Sequence, residues 1–486
     1  MQTWPPYLAH LKGLEQADAR LALAPDDVEA RFDRARMLTL LGRTEPAREE
    51  YLQVLHQDPG HFGALNNLGA LLYETGYRTA ARTAYAEAVA RHPGQPMARV
   101  NLANLLREQG DVEAARGQYE SALELDPDHP EAHQGLALLL LEAGDEEGAQ
   151  AHQRAGFQRS AVTVLPYLGT TEPVPVLLLI SAARGNAPFQ ALLDNRVFLV
   201  TVIVAEYFDD AQPLPPHRLV VNAIGDADLC AAALRSAEKI VARSPAPVLN
   251  PPAAVLATGR ADNAARLSGI PGVITPATLD LPAAALAGAD PGAVIAAHGF
   301  TFPLLVRAPG YHAGLHFHLI EGPDDIQKTL ASLPGRKLSL IQYLDARGAD
   351  GKARKYRVMM VGGHLYPAHA AISSHWKIHY FSADMAEYPE HRAEDAAFLQ
   401  DMPAVLGGRA VRALEAIRDT LALDYVGIDF GLDREGSVLL FEANAAMTIH
   451  PPGPDERWAY RREPVARILD AARRLLTEKT QDGAAR

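Results

Sequence analysis

A period of 34 residues in the first third of the chain limits its possible folds more than any other feature. Glycine recurs at this spacing as Gly42, Gly76, Gly110 and Gly144. Proline, alanine and tyrosine keep the same interval, at Pro25, Pro59, Pro93 and Pro127, at Ala47, Ala81, Ala115 and Ala149, and at Tyr51, Tyr85 and Tyr119. Because four residue types repeat in register, we expect a stack of similar structural units.

Each unit has the pattern of two helices joined by a tight turn. Leu68, Leu71 and Leu72 lie at helical spacing before Gly76, and residues 80–90 resume the same period after it. Glycine permits the turn, and a small alanine lets the two helices approach closely. The pattern resembles the tetratricopeptide repeat and predicts an all-α solenoid over residues 1–160. The resemblance gives full units near 28–61, 62–95 and 96–129, a degenerate unit from Pro130 to about Gln158, and a half-unit that ends at Pro25.

The repeat region carries most of the negative charge. Residues 1–160 contain 15 Lys and Arg against 24 Asp and Glu, and the whole chain has a formal charge of −13. This balance argues against nucleic-acid binding. It fits a concave face that receives a basic peptide or protein segment, and equally a solvated surface with an intramolecular or dimer contact. Amides that can hydrogen-bond a peptide backbone favour peptide capture: Asn66, Asn67, Asn101 and Asn104.

Length and composition predict a soluble protein of several domains. The chain has 486 residues, of which 48% are hydrophobic and 22% charged. Cys230 is the only cysteine, which excludes an intramolecular disulfide and is typical of a reducing compartment. The start has no signal-peptide pattern, and apolar runs such as 174–183 are too short to span a bilayer. We therefore expect a cytoplasmic location without a membrane anchor.

After a Thr- and Pro-rich joint at residues 169–173, the pattern changes to mixed α/β. Short β-branched runs predict strands at 174–181, 198–205 and 218–223, and a helix at 226–242 follows. This order is typical of a parallel sheet. Later strands are predicted at 302–307, 315–320, 337–344, 355–361 and 364–369.

Two apolar strands late in the chain carry the strongest chemical signal. They span residues 424–433 and 437–444, and they contain Asp429 on the first strand and Glu442 and Asn444 on the second. Burying two acids and an amide in an apolar hairpin is unfavourable without a cation. Magnesium prefers such oxygen ligands and keeps positions for substrate phosphates. The hairpin therefore predicts a site for Mg²⁺ or Mn²⁺.

Two other segments fit a nucleotide beside this metal. Residues 308–314 predict a flap whose backbone amides, near Gly310 and Gly314, cover a polyphosphate, and Arg307 supplies a positive charge at the end of the preceding strand. The strand at 337–344 leads into a polar hinge that can bind adenine and ribose. The hinge residues are Gln342, Tyr343, Leu344 and Asp345.

Together these segments make residues from about 174 to 475 similar to an ATP-grasp enzyme of the glutathione synthetase and RimK-type carboxylate–amine ligases. Further matches are Lys355-Tyr356-Arg357-Val358 and the segment 259–278. Where many members carry clamp lysines, this chain has Arg307 and offers Arg260, which keep the charge without being equivalent to lysine. The resemblance implies a pre-ATP-grasp subdomain at 170–295, a small lobe at 296–345, a large lobe with the metal site at 346–476, and a flexible tail at 477–486.

The resemblance implies ATP-dependent amide formation. The γ-phosphoryl group would pass to a small-molecule or peptide carboxylate, and an amine would attack the acyl phosphate. Arg307 would hold the phosphates, Arg357 the acyl phosphate or the carboxylate, and Lys355 would assist. Residues expected to face substrate are His375, Lys377, His379 and His450. The alternatives are an interaction scaffold with a degenerate nucleotide clamp, and a phosphotransferase that uses no amine.

Overall fold

The computed structural model describes residues 5–183, 185–288, 290–308, 316–334, 337–378 and 383–482. The chain forms two units. The first comprises Met1–Leu177 and Leu193–His217, and the second comprises Leu178–Leu192 and Arg218–Arg486. No helix among the described residues combines the length and apolar character needed to cross a membrane.

Paired antiparallel helices make up most of the first unit. They are α1 (Pro5–Leu23), α2 (Val28–Leu40), α3 (Thr44–Gln57), α4 (Phe62–Glu74), α5 (Arg78–Arg91), α6 (Pro96–Glu108), α7 (Val112–Leu125), α8 (Pro130–Ala143) and α9 (Glu146–Phe157). The helix boundaries follow the predicted period. All four periodic glycines have positive φ, between 67° and 86°, which a residue without a Cβ adopts without strain. The structure therefore confirms the predicted all-α repeat array.

The periodic tyrosines fill the space between helices. Tyr51, Tyr85 and Tyr119 are buried, and the periodic alanines at 47, 81, 115 and 149 are fully buried. Gly69 on α4 lies under the ring of Tyr85, where an added Cβ would be 2.6 Å from Cε1. Gly135 on α8 lies similarly under Tyr119. Large rings thus pack on positions without a side chain, within one helix pair at Gly69 and between successive pairs at Gly135.

Three strands follow the helices and reach the boundary between the units. They are β1 (Val162–Val164), β2 (Val174–Ile180), whose residues after Leu177 belong to the second unit, and β3 (Phe198–Val204). Strands β1 and β3 pair antiparallel, with Val162 opposite Ile203. The expected strands at 174–181 and 198–205 are therefore present.

The second unit continues with short elements: β4 (Leu219–Asn222), α10 (Ala231–Ala242), β5 (Val248–Leu249), α11 (Pro252–Leu256), α12 (Arg260–Leu267) and β6 (Val273–Ile274). Strands β4 and β5 pair in parallel, as the βαβ pattern predicts. Helix α10 begins later than the expected residue 226, because the Asp226 carboxylate accepts hydrogen bonds from the amides of Asp228 and Leu229 and forms a turn there.

A small antiparallel sheet comes next. Its elements are β7 (Thr278–Pro282), α13 (Ala283–Leu286), α14 (Pro291–Ala297), β8 (Leu304–Arg307), β9 (Phe317–Ile320), α15 (Ile326–Ala331) and β10 (Lys337–Gln342). The strand order is β7-β10-β8-β9, and an apolar cluster that includes Leu304, Val306 and Leu340 lies on one face. Strand β10 ends at Gln342, so the predicted hinge residues 343–345 lie outside the strand.

A second sheet completes the unit. Its elements are β11 (Ala353–Val361), β12 (His364–Ser373), α16 (Pro389–Gln400), α17 (Met402–Leu421), β13 (Tyr425–Leu432), β14 (Val438–Asn444) and α18 (Arg462–Asp482). The order is β12-β11-β13-β14-β6, in which only the β14–β6 pair is parallel. Helix α18 extends into the range 477–486 that the sequence predicts as a tail.

Candidate functional site

One face of the β11–β13–β14 sheet brings the predicted metal ligands together with two cations. Asp429 on β13 lies directly opposite Glu442 on β14 and opposite Arg357 on β11. Side chains of opposed residues in antiparallel strands share a face, and so do residues two positions apart. Asn444 and Lys355 therefore lie on this same face. The juxtaposition needs three strands in register, so it depends on chain segments up to 89 residues apart in the sequence.

Asp429 is held by both cations. Arg357 donates from Nε and Nη2 to the two carboxylate oxygens, at 2.6 and 2.9 Å. The Nζ atom of Lys355 lies 2.9 Å from Oδ2. Burial by itself raises the pKa of the Asp429 carboxyl, but the charges of Lys355 and Arg357 outweigh it and hold the pKa well below its ordinary value. Asp429 is therefore an anion at neutral pH.

Glu442 has a different cation. Arg260, at the start of α12, donates from Nη2 to Glu442 Oε1 at 3.0 Å and from Nη1 to Asp228 Oδ2 at 2.9 Å. Burial raises the pKa of the Glu442 carboxyl, whereas Arg260 and then Arg307 lower it, and the net direction is down. Sequence analysis noted Arg260 only as a substitute for a clamp lysine. The structure places it in direct contact with a predicted metal ligand.

The donor set suits a hard divalent cation. Asp429 and Glu442 offer carboxylate oxygens, which Mg²⁺ prefers. Asn444 Nδ2 faces Glu442 Oε1 at 3.4 Å, while its Oδ1 accepts from the Ala446 amide at 2.7 Å. Asn444 can therefore add a third oxygen only by sharing Oδ1 with that amide. Among the described residues, no group of three or more His, Cys, Asp or Glu side chains could hold a metal.

A cavity of about 430 Å³ opens over this face. This volume lies within the range of small-molecule sites. Beyond the sheet residues, the predicted site residues that line it are Arg307, Gln342, Tyr343, Leu344 and Lys377. Gln342 faces it while its Oε1 accepts from the Ala277 amide at 3.2 Å. Most of the residues predicted for a nucleotide and a metal thus border one space.

Not every predicted residue reaches this cavity. Asp345 is exposed and accepts three hydrogen bonds from the Arg347 guanidinium, at 2.8, 3.1 and 2.7 Å. It borders an adjacent depression and does not line the cavity. His375 is exposed and lies outside the lining. His450 borders a second cavity instead. Gly310, Gly314 and His379 lie outside the described residues.

The second cavity, of about 230 Å³, adjoins the first and shares Lys355, Arg357 and Thr448 with it. Trp458 and Arg461, on a 3-10 helix at Glu456–Arg461, also line it. No spacing pattern connects these two residues with the acidic hairpin, so sequence analysis missed them. Their position depends on how the chain after β14 folds back against β12.

Asn263 attaches α12 to β14. Its Nδ2 donates to the Ala443 carbonyl at 3.2 Å and to the Thr258 carbonyl at 2.9 Å. The side chain is buried and borders the larger cavity, and its Oδ1 has no hydrogen-bond partner among the described residues.

In the repeat array, the predicted amides bind one another and a tyrosine. Asn101 Nδ2 donates to Asn66 Oδ1 at 2.8 Å, so the amides of adjacent repeats form a short ladder. Tyr119 donates its hydroxyl to Asn104 Oδ1 at 2.5 Å. All of these amides are half-buried.

Comparison with known proteins agrees with the repeat assignment. A family model for the tetratricopeptide repeat matches residues 12–62, 42–96, 66–130 and 100–156. The first third of the chain is therefore a tetratricopeptide solenoid, and a mixed α/β region follows it. No curated protein matches the chain.

Several solved repeat proteins are similar over the same third. A thermophilic repeat protein of Thermus thermophilus is 24% identical, with a TM-score of 0.27, and the match covers 30% of this chain and 81% of that one. The pilF protein of Pseudomonas aeruginosa is 23% identical, with a TM-score of 0.29, over 31% of this chain and 72% of that one. YrrB, described as a repeat protein with an unusual peptide-binding site, is 18% identical, with a TM-score of 0.27, over 32% and 84%.

Proposed function

We propose that the α/β region is an ATP-dependent carboxylate–amine ligase of the ATP-grasp type. One observation carries the proposal: two carboxylates and two cations share one sheet face, under a cavity that a polar hinge also borders. Metal-bound nucleotide needs anionic oxygens for the cation and positive charge for the phosphates. Asp429 and Glu442 supply the first, Arg307 and Arg260 supply the second, and Lys355 and Arg357 remain for the acyl phosphate or the carboxylate.

Each residue then has a specific task. When bound, Mg²⁺ would neutralise charge on the phosphates of ATP. Asp429 fixes Arg357 in a two-bond arrangement, so the guanidinium is already oriented when a carboxylate arrives. Arg307 borders the same cavity from the small sheet and can hold the phosphates. The backbone of the hinge at Tyr343 and Leu344 offers hydrogen bonds to a planar base.

The direct test is Glu442→Gln, which keeps the shape of the side chain and removes its charge. We expect ADP release to fall by about 100-fold or more, because a group that stabilises transition-state charge is lost. Glu435→Gln, in the exposed hairpin turn, is the matched control and should retain full activity. Unchanged ADP release in folded Glu442→Gln would remove the metal assignment and the proposal with it.

We further propose that the repeat array binds a peptide or protein partner of this enzyme. Its charge favours a basic segment. The scaffold alternative, with a degenerate clamp, is favoured by the arginines at the clamp positions and predicts ATP binding without turnover. A phosphotransferase would release ADP without consuming an amine, so measuring the amine together with ADP separates the remaining options.

A further inference from the structure

The lining of the second cavity has an asymmetric charge. Its described lining residues include the cations Lys355, Arg357 and Arg461 and no Asp or Glu. Arg461 Nε lies 4.0 Å from the carboxylate of the fully buried Asp395, which is not part of the lining. Lys355 and Arg357 are ion-paired with Asp429, but Asp429 lines only the larger cavity. A ligand group in the second cavity thus meets cations without a carboxylate in the wall of that cavity.

Much of the remaining lining is apolar. Ala383, Met385 and Trp458 pack in one hydrophobic cluster with Ala371 and Ile372 of β12. Val465 of α18 also borders the cavity and is buried. A molecule that fits here needs an anionic end toward Lys355 and Arg357 and a hydrocarbon body toward Trp458. The volume of about 230 Å³ lies below that of sites for drug-sized ligands, so the molecule is small.

We propose that this cavity binds the carboxylate substrate, and that this substrate is a small acid with an apolar body and no ammonium group. The inference rests on the proposed function and names the substrate class of that site. Lys355 and Arg357 border both cavities, so a carboxylate bound to them lies beside the predicted metal and phosphate positions. An α-amino acid would place its ammonium group among cations, with no wall carboxylate to receive it.

The chemistry balances with ATP and an amine as the only other reactants. A carboxylate oxygen forms a bond to the γ-phosphorus of ATP. At the same time, the bond between the γ-phosphorus and the oxygen of the β-phosphate breaks, which gives an acyl phosphate and ADP. The amine nitrogen then bonds to the acyl carbon, the bond from that carbon to the phosphate oxygen breaks, and inorganic phosphate and one proton leave. The second cavity holds the acyl body throughout.

Calorimetric binding to the full chain with Mg²⁺ and ADP tests the selectivity. The probes are two pairs with equal carbon skeletons, 4-methylpentanoate with leucine and 3-methylbutanoate with valine. We expect 4-methylpentanoate to bind at least about tenfold more tightly than leucine, and 3-methylbutanoate more tightly than valine. Equal or tighter binding of the amino acids, or no binding by any probe, overturns the inference.

Substitution of the exposed His450 in the lining of the second cavity tests whether charge causes the selectivity. His450→Glu adds a carboxylate to the lining, and His450→Gln is the matched uncharged change. The preference for 4-methylpentanoate over leucine should shrink by about threefold in His450→Glu only, as expected for an ion pair near solvent. The explanation attributes the preference for 4-methylpentanoate to the absence of Asp and Glu from the lining. An equal change of this preference in both variants, or no change in His450→Glu, contradicts it.

Hydroxylamine separates this inference from the proposed function, because it converts an acyl phosphate into a hydroxamate. Hydroxamate formed with 4-methylpentanoate in preference to leucine supports both. Hydroxamate formed with leucine in preference overturns the substrate class and leaves the ligase proposal standing. Selective binding of 4-methylpentanoate without any hydroxamate overturns the ligase proposal and leaves only an acid-binding cavity.

Discussion

At the scale of the residue, Asp429 organises the site. It lies between Lys355 and Arg357, and these ion pairs keep two cations ordered under the cavity. The sequence predicted Asp429, Glu442 and Asn444 from the apolar context of the hairpin. It could not show that Lys355 and Arg357 bind Asp429, because that contact depends on the pairing of β11 with β13 rather than on spacing along the chain.

The ion pairs predict a specific effect of pH on stability. Asp429→Asn should lower the free energy of unfolding by about 2–4 kcal/mol at pH 7, because it leaves buried cations without their partner. The carboxyl has a lowered pKa in the folded state, so its contribution is complete above the unfolded pKa of about 3.9 and is lost as pH falls below it. Chemical denaturation should therefore show a constant difference between variant and wild type from pH 7 to 5. A difference that already declines at pH 6 would contradict this account.

Arg357 offers a second prediction at this scale. Arg357→Lys keeps the positive charge and loses the two-bond contact with Asp429. We expect kcat/KM for the acid substrate to fall by about tenfold while KM for ATP stays unchanged, because lysine cannot form the planar two-bond contact. Steady-state kinetics with each substrate varied in turn measures this. A rise in KM for ATP alone would assign Arg357 to the nucleotide.

At the scale of the element, local patterns predicted the secondary structure well. The 34-residue period gave the helix pairs, because each turn glycine takes a positive φ that other residues adopt with strain. The hairpin β13–β14 also followed from apolar alternation around a turn. The start of α10 and the position of Asp345 were not predictable, because the side chains of Asp226 and Arg347 form local hydrogen bonds that the pattern does not encode.

Two glycines in the repeats provide a matched test of the turn argument. Gly110 has a φ of 82° in a turn, whereas Gly117 lies exposed within α7, and an added Cβ meets no atom within 4 Å at either position. Gly110→Ala should lower the free energy of unfolding of the repeat array by about 1 kcal/mol through backbone strain. Gly117→Ala should stabilise it by a similar amount through helix propensity. Thermal unfolding of both variants checks the signs, and equal shifts would contradict the role assigned to the turn.

At the scale of the whole molecule, an acidic repeat array precedes an α/β region with a positively lined double cavity. The array holds 24 Asp and Glu within residues 1–160, while Lys355, Arg357 and Arg461 line the second cavity. Composition alone predicted the charge of the array. The cavities could not be predicted, since their walls come from segments between residues 260 and 465 that only the tertiary fold brings together.

The proposed roles of the two regions predict separable activities. Deleting residues 1–160 should leave ADP release with a small acid within about twofold, because every residue that lines either cavity is retained. Activity on a macromolecular substrate should fall by about tenfold or more, because the local concentration provided by a recruiting domain is lost. Parallel assays on both substrates measure the contrast, and equal activity on the macromolecule would count against recruitment.

The central claim is that the sheet face around Asp429 and Glu442 activates a carboxylate with ATP. The most direct measurement uses an acid whose carboxylate carries ¹⁸O and follows the label by mass spectrometry. Our account predicts one ¹⁸O atom in inorganic phosphate for each amide formed, and none of this transfer in Glu442→Gln. Amide formation that leaves the phosphate unlabelled would contradict the account.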